Sequence, residues 1–326
     1  MIYFIIAFLL IALELAYFRI ADKYNIIDKP NLRGSSSRIT LRGGGIIFPL
    51  GIVIYNIFFG LSNPWFLIAL IVISGVSFID DVKSVSSRIR FSIHLVAMFL
   101  VFYQWNILNV NSWWIILLAI IFCTGTINAF NFMDGINGIT VGYGLAVLAP
   151  LAWLNTKMNF VEPNFIWIFG LSLIVFCFFN FRKIAKCFAG DVGAISVAFI
   201  LIFIIGKLIL KTGDIYWVIL MAVYGIDTAL TVGHRILLKE KLGVAHRKHM
   251  FQLMANELRM PHTLVSVIYM AAQIIISAGL IFLDMNKWIY SVGVLITLSF
   301  IYIVFMKKYY HLHAEYLQLK AVEEKK

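Results

Sequence analysis

An all-α integral membrane protein with about eleven transmembrane helices is the fold class that this sequence predicts, on three observations. Apolar runs of about 20 residues, the span a bilayer core demands, recur along the whole chain. Of its 326 residues 62% are hydrophobic and only 13% are charged, with a mean hydropathy of +0.92, which excludes a water-soluble domain. The basic residues gather in every second connection between the apolar runs, the bias that marks cytoplasmic loops. A net charge of +11 therefore points to topology and to anionic lipid or phosphate ligands, and no nucleic-acid partner is expected.

Met1 to Tyr17 has no basic leader and no small-residue cleavage site, so it reads as a retained first span with the N-terminus outside. The polar stretch 22–45, with Lys23, Lys29, Arg33, Arg38 and Arg42, is then cytoplasmic. Further spans are expected at 46–61, 64–79, 91–105, 113–126, 139–155 and 164–179, then at 192–210, 215–233, 263–283 and 287–306. Connections expected outside, at 62–63, 106–112, 156–163, 211–214 and 284–286, carry only Lys157 and Lys211 as bases. Those expected inside carry most of the remainder, and residues 306–326 form a charged cytoplasmic tail. One domain, 1–326, accounts for the whole chain. Cys123, Cys177 and Cys187 have no metal-type spacing and read as buried apolar residues without a disulfide framework.

The chemistry is concentrated on that inner side. Asn128, Asn131, Asp134 and Asn137 place a polar group at every third position as an apolar run ends, with Gly135 and Gly138 between them. Asp80 and Asp81 are adjacent acids at a span end, and like charges this close need a cation, a base or a raised pKa. Asp191 lies between Gly190 and Gly193, on a turn that a phosphate or metal could approach. Carboxylates and amides suit Mg²⁺ or Mn²⁺, held together with substrate phosphates. Arg42, Arg90 and the run His246, Arg247, Lys248, His249 offer partners for phosphate oxygens. Acids, a divalent ion and bases at a membrane surface describe phosphoryl transfer to or from a lipid-borne reactant.

These motifs, in order, resemble the polyprenyl-phosphate N-acetylhexosamine-1-phosphate transferases, glycosyltransferase family 4. The likeness runs through Asp28-Lys-Pro-Asn31, Arg42-Gly-Gly-Gly45, Asp80-Asp81 with Arg90, Asn128-x-x-Asn131-x-x-Asp134-Gly, Gly190-Asp191-x-Gly193 and His246-x-x-His249. It implies transfer of N-acetylhexosamine-1-phosphate from a UDP-sugar to undecaprenyl phosphate, releasing UMP, as the first membrane step of cell-surface polysaccharide synthesis. It also implies a multi-pass protein of the bacterial inner membrane that uses Mg²⁺ or Mn²⁺, with a homodimer as a possible assembly.

Carried onto this chain, the likeness makes Asp80, Asp81 and Asp134 the candidate catalytic carboxylates, the first two acting on the lipid phosphate. Asp191 and Asn131 would hold the metal. Arg90 and the loop with His246, Arg247 and His249 would meet the pyrophosphate and sugar, with Arg42 and Asn128 also substrate-binding. Asn137 would face the uracil with Asn180 near the nucleotide; many bacterial relatives have Asp at the position of Asn137. Two other readings are an ion-coupled secondary transporter, which would place its acids near mid-membrane in broken helices, and a lipid-phosphate phosphatase, which would release inorganic phosphate.

Overall fold

The computed structural model describes residues 1–29, 35, 38–108, 113–241 and 246–323, without the side chains of 317–323. Pro30 and Asn31 of the first inner loop, and Asn111 and Ser112, lie outside the described residues. The chain is a helix bundle: α1 (Ile2–Lys23), α2 (Ile47–Phe59), α3 (Pro64–Val82), α4 (Ser87–Gln104), α5 (Trp113–Met133) and α6 (Ile139–Met158) form its first half. α7 (Pro163–Asn180), α8 (Gly190–Thr212), α9 (Ala222–Leu237), α10 (Met250–Asn256), α11 (His262–Phe282) and α12 (Lys287–Glu323) complete it. Local chemistry sets several starts. Pro64 and Pro163 occupy first helical positions, where a missing N–H costs nothing. Ser86 and Glu162 accept the exposed N–H groups of Ile89 and Phe165.

Among the described residues, nine helical segments are long and apolar enough to cross a membrane. They are α1, α3, α5, α6, α7, α8, Ile215–Leu237, α11 and α12. The other two expected spans are helical as well, but α2 has only 13 residues and α4 carries Arg88 and Arg90 in its first turn. A short antiparallel pair, β1 (Ile27–Asp28) and β2 (Thr40–Leu41), departs from the all-α expectation. It closes the long first inner loop on itself.

α8 is the axis. From Val192 to Ile205 every residue is buried, as its unbroken apolar sequence requires of a helix with neighbours on all sides. α3, α5, α6 and the 3₁₀ turn Gly44–Ile46 pack around it. α12 differs from expectation in length. The span and the charged tail form one 37-residue helix, about 55 Å at 1.5 Å per residue and well beyond a ~30 Å bilayer core.

Candidate active site

The first turn of α8 is gripped from two sides. Gly44 and Gly45 donate their N–H groups to the carbonyls of Phe188 and Ala189, both at 3.0 Å, and Phe188 N–H donates to Leu41 at 2.8 Å. A Cβ on Gly45 would collide with the backbone of Gly193. The glycines of the first inner loop and of the Asp191 turn therefore exist for each other, since only bare backbones can come so close. From the other side Asp81 caps the helix. Its Oδ1 accepts from Asp191 N–H at 2.8 Å and its Oδ2 from Val192 N–H at 3.0 Å. Gly190 has φ +72°, and a Cβ there would lie 2.5 Å from the Asp81 carboxylate.

Two arginines tie three carboxylates together. Arg42 Nε donates to Asp81 Oδ1 at 2.7 Å and its Nη2 to Asp191 Oδ1 at 2.8 Å. Arg90 Nη1 bridges Asp80 Oδ2 at 2.8 Å and Asp191 Oδ2 at 3.1 Å. Burial works against the charge of Arg42, yet Asp81 and Asp191 outweigh it and hold the guanidinium firmly protonated. The Asp81 side chain has 0% exposure and both oxygens occupied, and it anchors Arg42 and the start of α8. Asp80, also nearly buried, spends Oδ1 on the N–H of Val85 and Oδ2 on Arg90.

The polar stretch at 128–139 does not continue as a helix. α5 ends at Met133, and a turn leads into α6. Asn128 returns its amide to the Thr124 carbonyl at 2.9 Å and does not line the cavity described below. Asn131 and Asp134 do line it, and Thr140 donates to Asp134 Oδ1 at 2.7 Å. Burial, with the charge of Asp191 nearby, pushes the Asp134 carboxyl up to about 6. Asn137 and Asn180 also face the cavity, but chiefly as staples. Asn137 Nδ2 donates to the carbonyls of Arg182 at 2.9 Å and Lys183 at 3.3 Å. Asn180 accepts from Gly138 N–H and donates to the Cys187 carbonyl, both at 2.8 Å.

The histidine loop packs against the end of α5. His246 and His249 pack against Phe132, with ring centroids 6.5 and 6.4 Å away, and neither lines the cavity. Burial, helped by His249, Arg235 and Lys248, holds the His246 ring down at about 3, so it is neutral and not a phosphate-binding cation. Arg247 donates to Glu257 at 2.9 Å and stacks 4.4 Å above the Tyr316 ring of α12. His313 shares the same Glu257 oxygen at 2.9 Å, so the C-terminal part of α12 holds Arg247 and Glu257 together.

That cavity holds about 190 Å³ and is walled by Asp28, Arg42, Asn131, Asp134, Asn180 and Asp191 among others. His262, Phe188 and Ser35 open from it into a neighbouring hollow of about 650 Å³ that carries Arg38, Lys183 and Arg259. Its walls come from the loop after α1, the α5–α6 turn, the α7–α8 loop and the start of α11. Four separate stretches of sequence meet at one end of the bundle. Sequence reasoning missed His262, Asp227 and Glu257 as members of the site's surroundings, since each is a lone polar residue with no motif around it.

No three His, Cys, Asp or Glu side chains converge as a complete metal site among the described residues. The donor chemistry nevertheless fits a hard divalent cation. Asp80, Asp81 and Asp191 bring three carboxyl groups against the two guanidinium groups of Arg42 and Arg90. Asp191 and Asn131 add oxygen ligands at the cavity wall. One or two protein oxygens with substrate phosphates completing the shell is the usual way Mg²⁺ is held.

The model of glycosyl transferase family 4 matches residues 64–209. A protein of Bacillus subtilis, "Probable undecaprenyl-phosphate N-acetylglucosaminyl 1-phosphate transferase", is 26% identical over 315 residues, 89% of this chain and 85% of that one. The "Undecaprenyl-phosphate alpha-N-acetylglucosaminyl 1-phosphate transferase" of Escherichia coli K12 is 26% identical over 216 residues, 57% of this chain and 56% of its own length. A "Phospho-N-acetylmuramoyl-pentapeptide-transferase" of Thermotoga maritima is 26% identical over 194 residues, 53% of this chain and 62% of its own.

Proposed function

We propose that the chain, whose residues 64–209 match the model of glycosyl transferase family 4, is a member of that family and transfers N-acetylhexosamine-1-phosphate from a UDP-sugar to undecaprenyl phosphate. The observation that carries this reading is the cavity where Asp191, braced by Arg42 and Arg90, meets Asn131 and Asp134. An oxygen of the lipid phosphate attacks the β-phosphorus of the UDP-sugar. A P–O bond forms there as the bond from that phosphorus to the α-phosphate oxygen breaks, and UMP departs. Of the three candidate catalytic carboxylates, Asp134 lines the cavity and can take up the proton of a protonated lipid phosphate. Asp191 and Asn131 would hold Mg²⁺ or Mn²⁺, whose charge would offset the repulsion between the acids and the phosphates. A carboxylate ~4 Å from a phosphate oxygen otherwise costs on the order of 4 kcal/mol at an effective dielectric near 20.

The proposed topology has eleven crossings in a bacterial inner membrane, the N-terminus outside and the C-terminus with the cavity in the cytoplasm. The short α2 and the Arg-bearing α4 complete the nine longer spans. The relatives named above are transferases, not transporters or phosphatases. The test incubates membranes holding the protein with undecaprenyl phosphate and several labelled UDP-sugars. UMP release and a labelled diphosphate lipid, lost on chelation and restored by Mg²⁺ or Mn²⁺, are expected. Inorganic phosphate without UMP would make it a phosphatase.

A further inference from the structure

Among the described residues, Glu14 and Asp227 are buried carboxylates outside the cluster of Asp80, Asp81 and Asp191, and they differ in company. Neither oxygen of Glu14 has a hydrogen-bond partner among the described residues. Asp227, on α9 with 3% exposure, collects four donors. His249 Nδ1 lies 3.3 Å from Oδ1, Met250 N–H 3.1 Å and the Thr231 hydroxyl 3.2 Å, while the Tyr269 hydroxyl donates to Oδ2 at 2.6 Å. With donors on every side, the carboxylate acts as an acceptor only. The imidazole proton between the two groups therefore belongs to His249 Nδ1, and the other ring nitrogen is left bare whenever the ring is neutral.

That second nitrogen is the informative atom. His249 is 1% exposed, and its Nε2 has no hydrogen-bond partner among the described residues. The Nδ1 of His246, whose ring centroid is 5.1 Å away, has none among them either. A buried polar atom left unpaired is destabilising, so such a pair reads as a site waiting for a donor. Its position suits that purpose. The His249 ring packs on Phe132, next in sequence to Asn131, and Phe251 lies against Gly135 of the cavity wall.

We propose that Asp227 is a positioning residue for the transfer. It holds the proton of a neutral His249 on Nδ1 and so presents Nε2 as an acceptor to a hydroxyl or amide N–H of the sugar. This deepens the transferase reading and rests on it. A bare nitrogen repels phosphate oxygens and selects the part of the substrate that carries O–H and N–H groups. An N-acetylated sugar offers both. Tyr269, Thr231 and the Met250 backbone keep the carboxylate from turning away, which makes the tautomer a built feature of the fold and not a choice of the loop.

Two measurements test the assignment. In protein labelled with [¹⁵N]histidine, the ring signals that vanish in His249→Gln should show a protonated Nδ1 and a bare Nε2. A proton on Nε2 of the neutral ring overturns the proposal, and this measurement needs neither turnover nor a variant of Asp227. In the kinetic test, Asp227→Ala should lower kcat/KM for the sugar nucleotide about tenfold to a hundredfold, as loss of an orienting carboxylate behind a histidine does, with the KM for lipid phosphate unchanged. In a His249→Gln background the same substitution should cost less than about threefold, because its effect passes through that ring. Equal losses in both backgrounds would reduce Asp227 to a structural role. If the parent protein releases no UMP from any UDP-sugar, the transferase reading fails, while the tautomer measurement stands or falls separately.

Discussion

Asp191 is held from three directions: each carboxylate oxygen is held by a different arginine, and its own N–H is held by Asp81. Replacement by Asn preserves volume but removes the charge that both arginines and a cation would answer to. Asp191→Asn should lower turnover at least about a hundredfold, the range seen when one electrostatic contributor is removed from a site, while the protein still folds. A Mg²⁺ titration of UMP release checks it, and undiminished turnover would take Asp191 out of the site. Asp134 makes a separate prediction through pH. Its carboxyl stands at about 6 in the fold against 3.8 ordinarily, so the folded state binds the proton more tightly. Its contribution to stability is therefore present at low pH and is lost as pH rises through about 6. Melting curves in detergent from pH 5 to pH 8 should show Asp134→Asn losing less stability with rising pH than the parent.

At the level of elements, the site is two loops pressed on the start of α8. Gly45→Ala would force a methyl into the backbone of Gly193 and separate the Arg42 loop from the Asp191 turn. Overpacking of this kind costs ~1–3 kcal/mol, and melting should fall together with turnover. Survival of both would mean that the contact is looser than the structure shows. Asn137 illustrates how an element can claim a residue that sequence assigns to a ligand. Its amide donates to two carbonyls of the α7–α8 loop, so its first task is to hold that loop. Asn137→Asp replaces the donor with an acceptor facing those carbonyls. It should raise the KM for the UDP-sugar by tenfold or more, from the ~1–3 kcal/mol cost of an unmet buried polar group. Equal kinetics in Asn137→Asp and the parent would show the loop held by other bonds.

For the whole molecule, charge supports the proposed orientation: Lys83, Arg88, Arg90, Arg182, Lys183 and Lys186 cluster at the cavity end. Cysteines placed at Asn63 and Asp284 should react with an impermeant reagent added to intact cells. Those at Ser84 and Lys239 should react only after the membrane is opened. Labelling of Ser84→Cys from outside would invert the map and put the cavity on the wrong side for a nucleotide substrate.

By itself the sequence determined the helix bundle and the chemical class of the site. Span length and apolar composition are local properties, and so are the starts at Pro64 and Pro163 or the cap at Ser86. The motif order was enough to bring Arg42, Asn131, Asp134 and Asp191 under suspicion, and these do share one cavity. What the sequence left undecided is the task of each polar group. Asp80 and Asp81 are neighbours of identical chemistry, yet one pairs with Arg90 and the other caps a helix 110 positions away. Arg247 reads as a phosphate ligand in the sequence, and in the fold it pairs with Glu257 and stacks on Tyr316. Asp227 has no motif around it at all, and only the packing of α9 against the histidine loop and α11 gives it four donors. Hydrogen bonds saturate: a donor spent on a distant partner is not free for a substrate, and which partners meet is decided by how the helices pack.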